Sequence, residues 1–375
     1  MLKFLKSDVG AGTLLVIAAI IAMVLANSPL ADLYTGTLST KIRIGLEDFG
    51  LEKSVLLWIN DALMAVFFLL VGLEIKRELL EGELSDRRRA ALPVMGAIGG
   101  MLVPAGIYAA INFESPNTLS GWPIPAATDI AFALGVLSLV RRHVAPGLRV
   151  FLLGLAIIDD LGAIILIAIL FTADIASQAL TLAGVCIAVL ALLNRFGVTR
   201  LWPFLAIGFF LWLAVLKSGV HATIAGVVIG TLIPRKAMPK LEHAVHPWVT
   251  FGIMPIFALA NAGASLEGVG LHTFTEPVAL GIILGLFVGK QVGVFAACWL
   301  AVRSGIAQLP AGSNWASLHG VAIITGIGFT MSLFVGSLAF TSNDYDTAVR
   351  LGVLTGSALS AIVGCTWLVM LSRAR

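Results

Sequence analysis

The chain has 375 residues, of which 59% are hydrophobic and 12% are Asp, Glu, Lys or Arg, against about 25% charged residues in soluble domains. Its mean hydropathy is +1.00, and a net charge of +3 offers no basic face for a phosphate backbone. Water is therefore not the main solvent of this chain, which excludes a soluble enzyme, a disordered protein and a nucleic-acid binder.

A membrane span needs about 20 apolar residues. In chain order, twelve runs are predicted to span: residues 11–30, 55–75, 92–111, 121–140, 149–171, 177–194, 201–216, 219–233, 247–264, 277–301, 316–340 and 348–371. The apolar stretch from Val9 to Ala26 is longer than a signal-peptide core, so the first run reads as an uncleaved span. The seventh and eighth runs part at Lys217-Ser218-Gly219. Between the first two, apolar residues recur at every second position from Leu38 to Leu46, except at Thr40. That is strand periodicity rather than helix periodicity. An isolated hairpin is marginal in water, and an exposed edge pairs readily with a copy of itself. A homodimer through this outer β-hairpin is the expectation, with an ordinary loop as the alternative. Cys186, Cys298 and Cys365 lie within apolar runs and read as packing residues rather than a disulfide framework.

Lys and Arg accumulate on the cytoplasmic side of membrane proteins. With the N-terminus in the cytoplasm, 18 of the 24 fall inside and 5 outside, which leaves Lys290 within a span. The bias predicts both termini inside and an even number of spans.

Four ionisable residues fall near the middle of predicted spans: Asp129, Asp159, Asp160 and Lys290. A charge at a helix centre costs roughly 2.5–3.5 kcal/mol on insertion scales, so four unpaired ones would cost on the order of 10 kcal/mol. Two structural ion pairs do not account for them, because one lysine cannot neutralise three acids. Asp159 and Asp160 are adjacent and point about 100° apart on a helix, so one can face a cavity while the other sits beside it. Desolvation and a neighbouring like charge favour the neutral form of a carboxylate. Such a group holds a proton or a small hard cation, but not both. Hard oxygen ligands favour an alkali ion over a transition metal. A site where the two compete, opened to each side in turn, is an antiporter.

The backbone pattern agrees. Pro123 and Pro125 precede Asp129 in the fourth span, and Gly326 and Gly328 interrupt the eleventh. Proline removes a donor and glycine loosens a helix. Paired interruptions in corresponding spans of two halves point to a transporter site. The repeats are expected at about 92–171 and 277–371, within a single domain covering 1–375. Four half-helix ends would then meet at mid-depth, with Asp129 offsetting the positive ends and Lys290 the negative ones. In the tenth span, Gly281, Gly285, Gly289 and Gly293 recur every four residues, a stripe that lets a neighbouring helix approach closely. Gly352, Gly356, Ser360 and Gly364 form a similar row in the twelfth.

Several long motifs resemble one family. Ala127-Thr128-Asp129-Ile130-Ala131-Phe132-Ala133, Ile157-Ile158-Asp159-Asp160, Val71-Gly72-Leu73-Glu74-Ile75-Lys76-Arg77-Glu78, Gly219-Val220-His221-Ala222-Thr223 and Leu241-Glu242-His243-Ala244-Val245-His246-Pro247-Trp248 closely resemble the bacterial NhaA sodium/proton antiporters. The resemblance runs from the first span to the twelfth. It implies an all-α membrane fold of about 12 helices, with inverted repeats and two broken, crossing helices at spans 4 and 11. The NhaA fold is itself a standard example of that architecture. The resemblance further implies Asp160 as the principal sodium ligand. Asp159 is implied either as a second ligand and proton carrier or as the ion-pair partner of Lys290. Thr128 and carbonyls of the unwound segments would complete the shell. Glu74, Arg77 and Glu78, with Glu242, His243 and His246 in the following inner loops, would form a pH-sensing cluster, and His221 would modulate the pH response. The implied activity rises toward alkaline pH, carries Na+ or Li+ outward against H+, and is driven by membrane potential. No cofactor and no nucleic-acid partner are expected; sodium, protons and the inner-membrane bilayer are.

Other classes fit less well. An aspartyl intramembrane protease needs its two acids on separate spans, and a serine type needs its histidine distant from Ser218. A channel or sodium-coupled symporter shares the broken helices and the acids. Three carboxylates with one lysine and no organic-substrate pocket favour exchange of two small cations.

Overall fold

Apolar runs of this length satisfy their backbone groups in a bilayer as helices, and helix is what most of the chain adopts. The computed structural model describes residues 8–45, 50–172, 175–340 and 343–373. Leu46, Lys3, Lys6 and Arg375 lie outside the described residues. Eight helices are long and apolar enough to cross a membrane: Val9–Ala26, Val55–Leu80, Arg87–Asn112, Pro146–Leu170, Ser177–Arg195, Met238–Asn261, Pro277–Arg303 and Asp346–Arg373. Two helix pairs pass the same test together, each bent by 47° at a short break: Pro116–Ala126 with Ile130–Leu139, and Trp315–Ile324 with Phe329–Ala339. Leu201–Leu216 and Thr223–Leu232 are shorter apolar helices.

Three local expectations need correction. The first helix stops at Ala26, not at residue 30, and a second helix, Ala31–Ser39, follows. Pro29 disfavours helical backbone at Ser28, which ends the first helix early. The strand is shorter than expected: Leu38 and Ser39 belong to that helix, and β1 is Lys41–Ile44. It pairs antiparallel with β2, Leu51–Ser54, with Lys41 opposite Ser54 and Ile44 opposite Leu51. Third, Glu242, His243 and His246 are not in a loop but on the helix Met238–Trp248. Met238 and Leu241 are buried, and Val245 packs on the same core. That spacing of three and four is an amphipathic helical face, and the helix runs through Pro247, where the ninth apolar run is expected to begin.

The described chain divides into two compact units. One comprises residues 1–17, 78–163 and 264–375. Its centre is the pairing of Arg87–Asn112 with Pro277–Arg303, made close by glycine. A Cβ on Gly289 would lie 2.7 Å from the Pro104 Cα, and one on Gly293 would lie 2.8 Å from the Gly99 carbonyl carbon. Gly352 likewise faces Ala279 and Ile282. The other unit comprises residues 18–77 and 164–263. In it Gly226 lies against the backbone of Ala65 and Leu69, and Gly72 against Val227. Leu73, Phe204, Leu211 and Ile233 form its buried core. Among the described residues all three cysteines are free; Cys186 and Cys298 are buried and Cys365 half-buried.

Candidate functional site

The two breaks meet within the first unit. After Pro125 the chain leaves the short helical turn Ile124–Ala126, and Ala127 is extended. The second break runs through Thr325-Gly326-Ile327-Gly328. The Asp129 N–H donates to Ile327 O at 2.7 Å, and Ser332 Oγ donates to Ile124 O at 2.8 Å. A Cβ on Gly328 would sit 2.8 Å from Leu286 Cδ2 and 3.0 Å from Ala127 O. A side chain at this position would crowd the Ser332 hydroxyl, Leu286 and the neighbouring backbone at Ala127.

Asp129 N-caps the helix Ile130–Leu139, its Oδ1 accepting from the Phe132 N–H at 2.9 Å. Its Oδ2 accepts from the Thr330 N–H at 3.1 Å and from the Thr330 hydroxyl. One carboxylate therefore serves the N-termini of two half-helices. Each such end carries about half a positive charge, so the two together offset one aspartate.

Asp159 and Asp160 lie inside the helix Pro146–Leu170. Lys290 opens the α-helical stretch Lys290–Arg303, just after the π-helical turn Gly285–Gly289. Lys290 Nζ donates to Asp159 Oδ2 at 2.5 Å and to Ala126 O, at the end of the first half-helix, at 2.6 Å. Thr128 Oγ1 lies 2.7 Å from the same Asp159 Oδ2 and 2.9 Å from Thr325 O. Asp159 Oδ1 has no hydrogen-bond partner among the described residues. Asp160 is close enough to Lys290 for its charge to be felt there. Thr128, Asp129, Asp159, Asp160 and Lys290 are each at most 1% exposed.

The charges can be apportioned. Two positive helix ends offset Asp129, while Lys290 faces both Asp159 and the negative end at Ala126 O, so with all groups ionised the cluster is net negative. Net negative charge there attracts a proton or an alkali cation. Among the described residues no group of three or more His, Cys, Asp and Glu side chains is arranged to hold a metal ion. A cation here would take carboxylate, hydroxyl and carbonyl oxygens, the hard-donor set.

The remaining candidates form two other groups. Arg77 Nη1 donates to Glu242 Oε1, both in the second unit. Lys76, next to it, donates to Thr231 O at 2.8 Å and to Ile233 O at 2.5 Å. Glu78 turns elsewhere: its Oε2 accepts from the Glu83 N–H at 3.1 Å. Glu74 is half-buried on the same helix, while His243 and His246 are exposed. His221 is not with them. It precedes Thr223–Leu232, at the end opposite the Lys76 contact, and lies within electrostatic reach of Asp61 and Lys53. Asp61 is buried in the π-helical turn Ile59–Leu63 and pairs with Lys53. The sequence singled out neither Lys53 nor Thr330 as a partner. Thr330 carried a signal, since it closes the glycine-interrupted motif; Lys53 carried none.

The family described as Na+/H+ antiporter 1 matches residues 2–368. A Na(+)/H(+) antiporter NhaA of Rhodospirillum rubrum is 55% identical over 97% of this chain and 95% of its own length. The one of Pelagibacter ubique is 54% identical over 96% and 95%. Among solved structures, a sodium proton antiporter from Methanocaldococcus jannaschii superposes with a TM-score of 0.57 at 14% identity, covering 99% of this chain and 97% of that one. At that identity the likeness is one of fold.

Proposed function

This chain belongs to the Na+/H+ antiporter 1 family, and from that premise we propose that it is a secondary active antiporter exchanging cytoplasmic Na+, or Li+, for external H+. It is a transporter, not an enzyme; the exchange is electrogenic and pH-regulated. The observation that carries this reading is the buried meeting of Asp159, Lys290 and Thr128 at a helix break, with Asp160 the next residue. Asp160 is the principal sodium ligand, assisted by Thr128, by carbonyls of the breaks and by Asp159. A proton on Asp160 cancels the charge that holds sodium, so the two ions exclude one another. Asp129 and Lys290 compensate the half-helix ends. The second proton travels on Asp159 or on Lys290.

Eight long helices, two bent pairs and two shorter helices support twelve spans, with inverted repeats at about 92–171 and 277–371 in a single transporter domain. The lysine and arginine bias supports a bacterial inner-membrane location with both termini cytoplasmic. Glu74, Arg77, Glu78, Glu242, His243 and His246 tune the response to pH, and His221 modulates it. The exposed strand β1 supports a homodimer through hairpin pairing. Crosslinking after deletion of residues 41–54 tests this: the dimer is lost if the hairpin makes it.

In everted vesicles, sodium or lithium at pH 8 is expected to collapse a pH gradient with no organic solute present, which separates an antiporter from a symporter. Asp160→Asn is expected to abolish the collapse. Collapse that survives this substitution refutes the ion-site assignment. Lys290→Gln separates the proton carriers. Lost electrogenicity with retained sodium binding points to Lys290; retained electrogenicity points to Asp159.

A further inference from the structure

The turn Arg141–His143 joins Ile130–Leu139 to Pro146–Leu170, in the unit that holds the ion site. It encloses a cavity of about 260 Å³ lined by Ser138, Arg141, Arg142, Pro146 and Arg149 among others, with no acidic side chain in the lining. All three arginines are exposed. Pro146 opens a 25-residue helix, so the positive end of that helix faces the same space. The His143 Nδ1 lies 2.6 Å from Ser372 Oγ, which ties the turn to the end of Asp346–Arg373. Three guanidiniums and a helix end around one cavity attract an oxyanion, and guanidinium matches phosphate oxygens in pairs.

The surroundings favour one kind of oxyanion. Leu139, 65% exposed, and Val150, 40% exposed, each lie within two residues of a cavity arginine in the sequence. A free phosphate has no use for them, whereas a phospholipid needs a charged cradle with apolar surface beside it. We propose that Arg141, Arg142 and Arg149 bind the phosphate headgroup of an anionic phospholipid, its acyl chains lying over Leu139 and Val150. The assignment to the cytoplasmic leaflet rests on the orientation given above; the binding itself does not.

Thermal melts of the purified, detergent-solubilised full chain test this, with dioctanoyl phosphatidylglycerol, dioctanoyl phosphatidylcholine or inorganic phosphate added. Phosphatidylglycerol is expected to raise the melting temperature, and the other two are not. In R141Q/R142Q/R149Q the phosphatidylglycerol concentration for half the shift should rise roughly tenfold or more. R87Q/R88Q, which removes two other inner-side arginines, should respond as the unaltered chain does. Should the triple variant fail to fold, the single variant R142Q should still show a weaker response to phosphatidylglycerol. An equal shift with phosphatidylcholine, an equal shift with inorganic phosphate, or an unchanged response in the arginine variants overturns the proposal. None of these readings depends on ion exchange, so failure here leaves the antiport reading untouched, and the reverse.

Discussion

At the residue scale, Thr128 has more partners than protons. Its hydroxyl lies 2.7 Å from Asp159 Oδ2 and 2.9 Å from Thr325 O, and one hydroxyl proton serves one acceptor at a time. With Asp159 ionised the hydroxyl donates to it. With Asp159 protonated the carboxyl donates to Thr128, and the hydroxyl turns to Thr325 O. Thr128→Val removes both arrangements. Losing a hydrogen bond to a charged group costs roughly 1.5–3 kcal/mol, so the sodium concentration for half-maximal gradient collapse should rise about tenfold to a hundredfold, and Thr128→Ser should restore most of it. Asp129 makes a different prediction, because its bonds hold helix ends rather than an ion. Asp129→Ala strips acceptors from buried N–H donors on two helices, at about 1–3 kcal/mol for each donor left unsatisfied. Thermal melts should show a large loss, and a smaller one for Asp129→Asn, which keeps one acceptor. The exclusive binding proposed for Asp160 predicts the sign of the pH response. On that proposal a proton displaces sodium as pH falls, so half-saturation by sodium should rise by up to about tenfold per pH unit on the acid side, with a plateau on the alkaline side. A half-saturation constant independent of pH contradicts exclusive binding.

At the element scale, glycine decides how close helices come. The fourfold glycine spacing of the tenth predicted span was legible, and in the structure Gly289 and Gly293 lie against Pro104 and Gly99 of one helix, while Gly285 lies against Pro125. Gly293→Ala would push a Cβ to 2.9 Å from Val103 Cβ as well as against the Gly99 backbone. Overpacking of this kind costs roughly 1–3 kcal/mol and should lower the melting temperature. Gly106, on the same partner helix, has nothing within 4 Å of its would-be Cβ, so Gly106→Ala should be neutral or slightly stabilising. The π-helical turns Ile59–Leu63, Val249–Ile253 and Gly285–Gly289 were not legible. A π-turn inserts one residue into a helix without any change in hydropathy, and such turns gather at functional positions. The ninth helix begins well before its apolar run at residue 247, and Pro247 is carried inside it, because Met238, Leu241 and Val245 find a core.

At the scale of the whole molecule, the candidate ion site and the cavity of the three arginines belong to one unit. The Arg77–Glu242 and Lys53–Asp61 pairs belong to the other. The grouping of titratable residues is thus resolved into separate sets. A reporter fused after Arg375 checks the orientation on which the inner-side assignments depend. A fluorescent protein should light up, and an alkaline phosphatase should stay inactive; the opposite result inverts the topology.

By itself, the sequence determined the solvent of this chain, the helical class and the residues worth watching. A bilayer leaves a backbone few alternatives, and a charge among apolar residues stands out without coordinates. Only the tertiary structure decided which charge meets which. It joined Asp159 to Lys290, gave Asp129 to two helix ends, and drew His221 toward Asp61 and Lys53, away from Arg77 and Glu242. Those outcomes depend on helix rotation, on π-turns and on where glycine permits contact. All of these are set by packing between segments far apart in the chain, which local periodicity does not record.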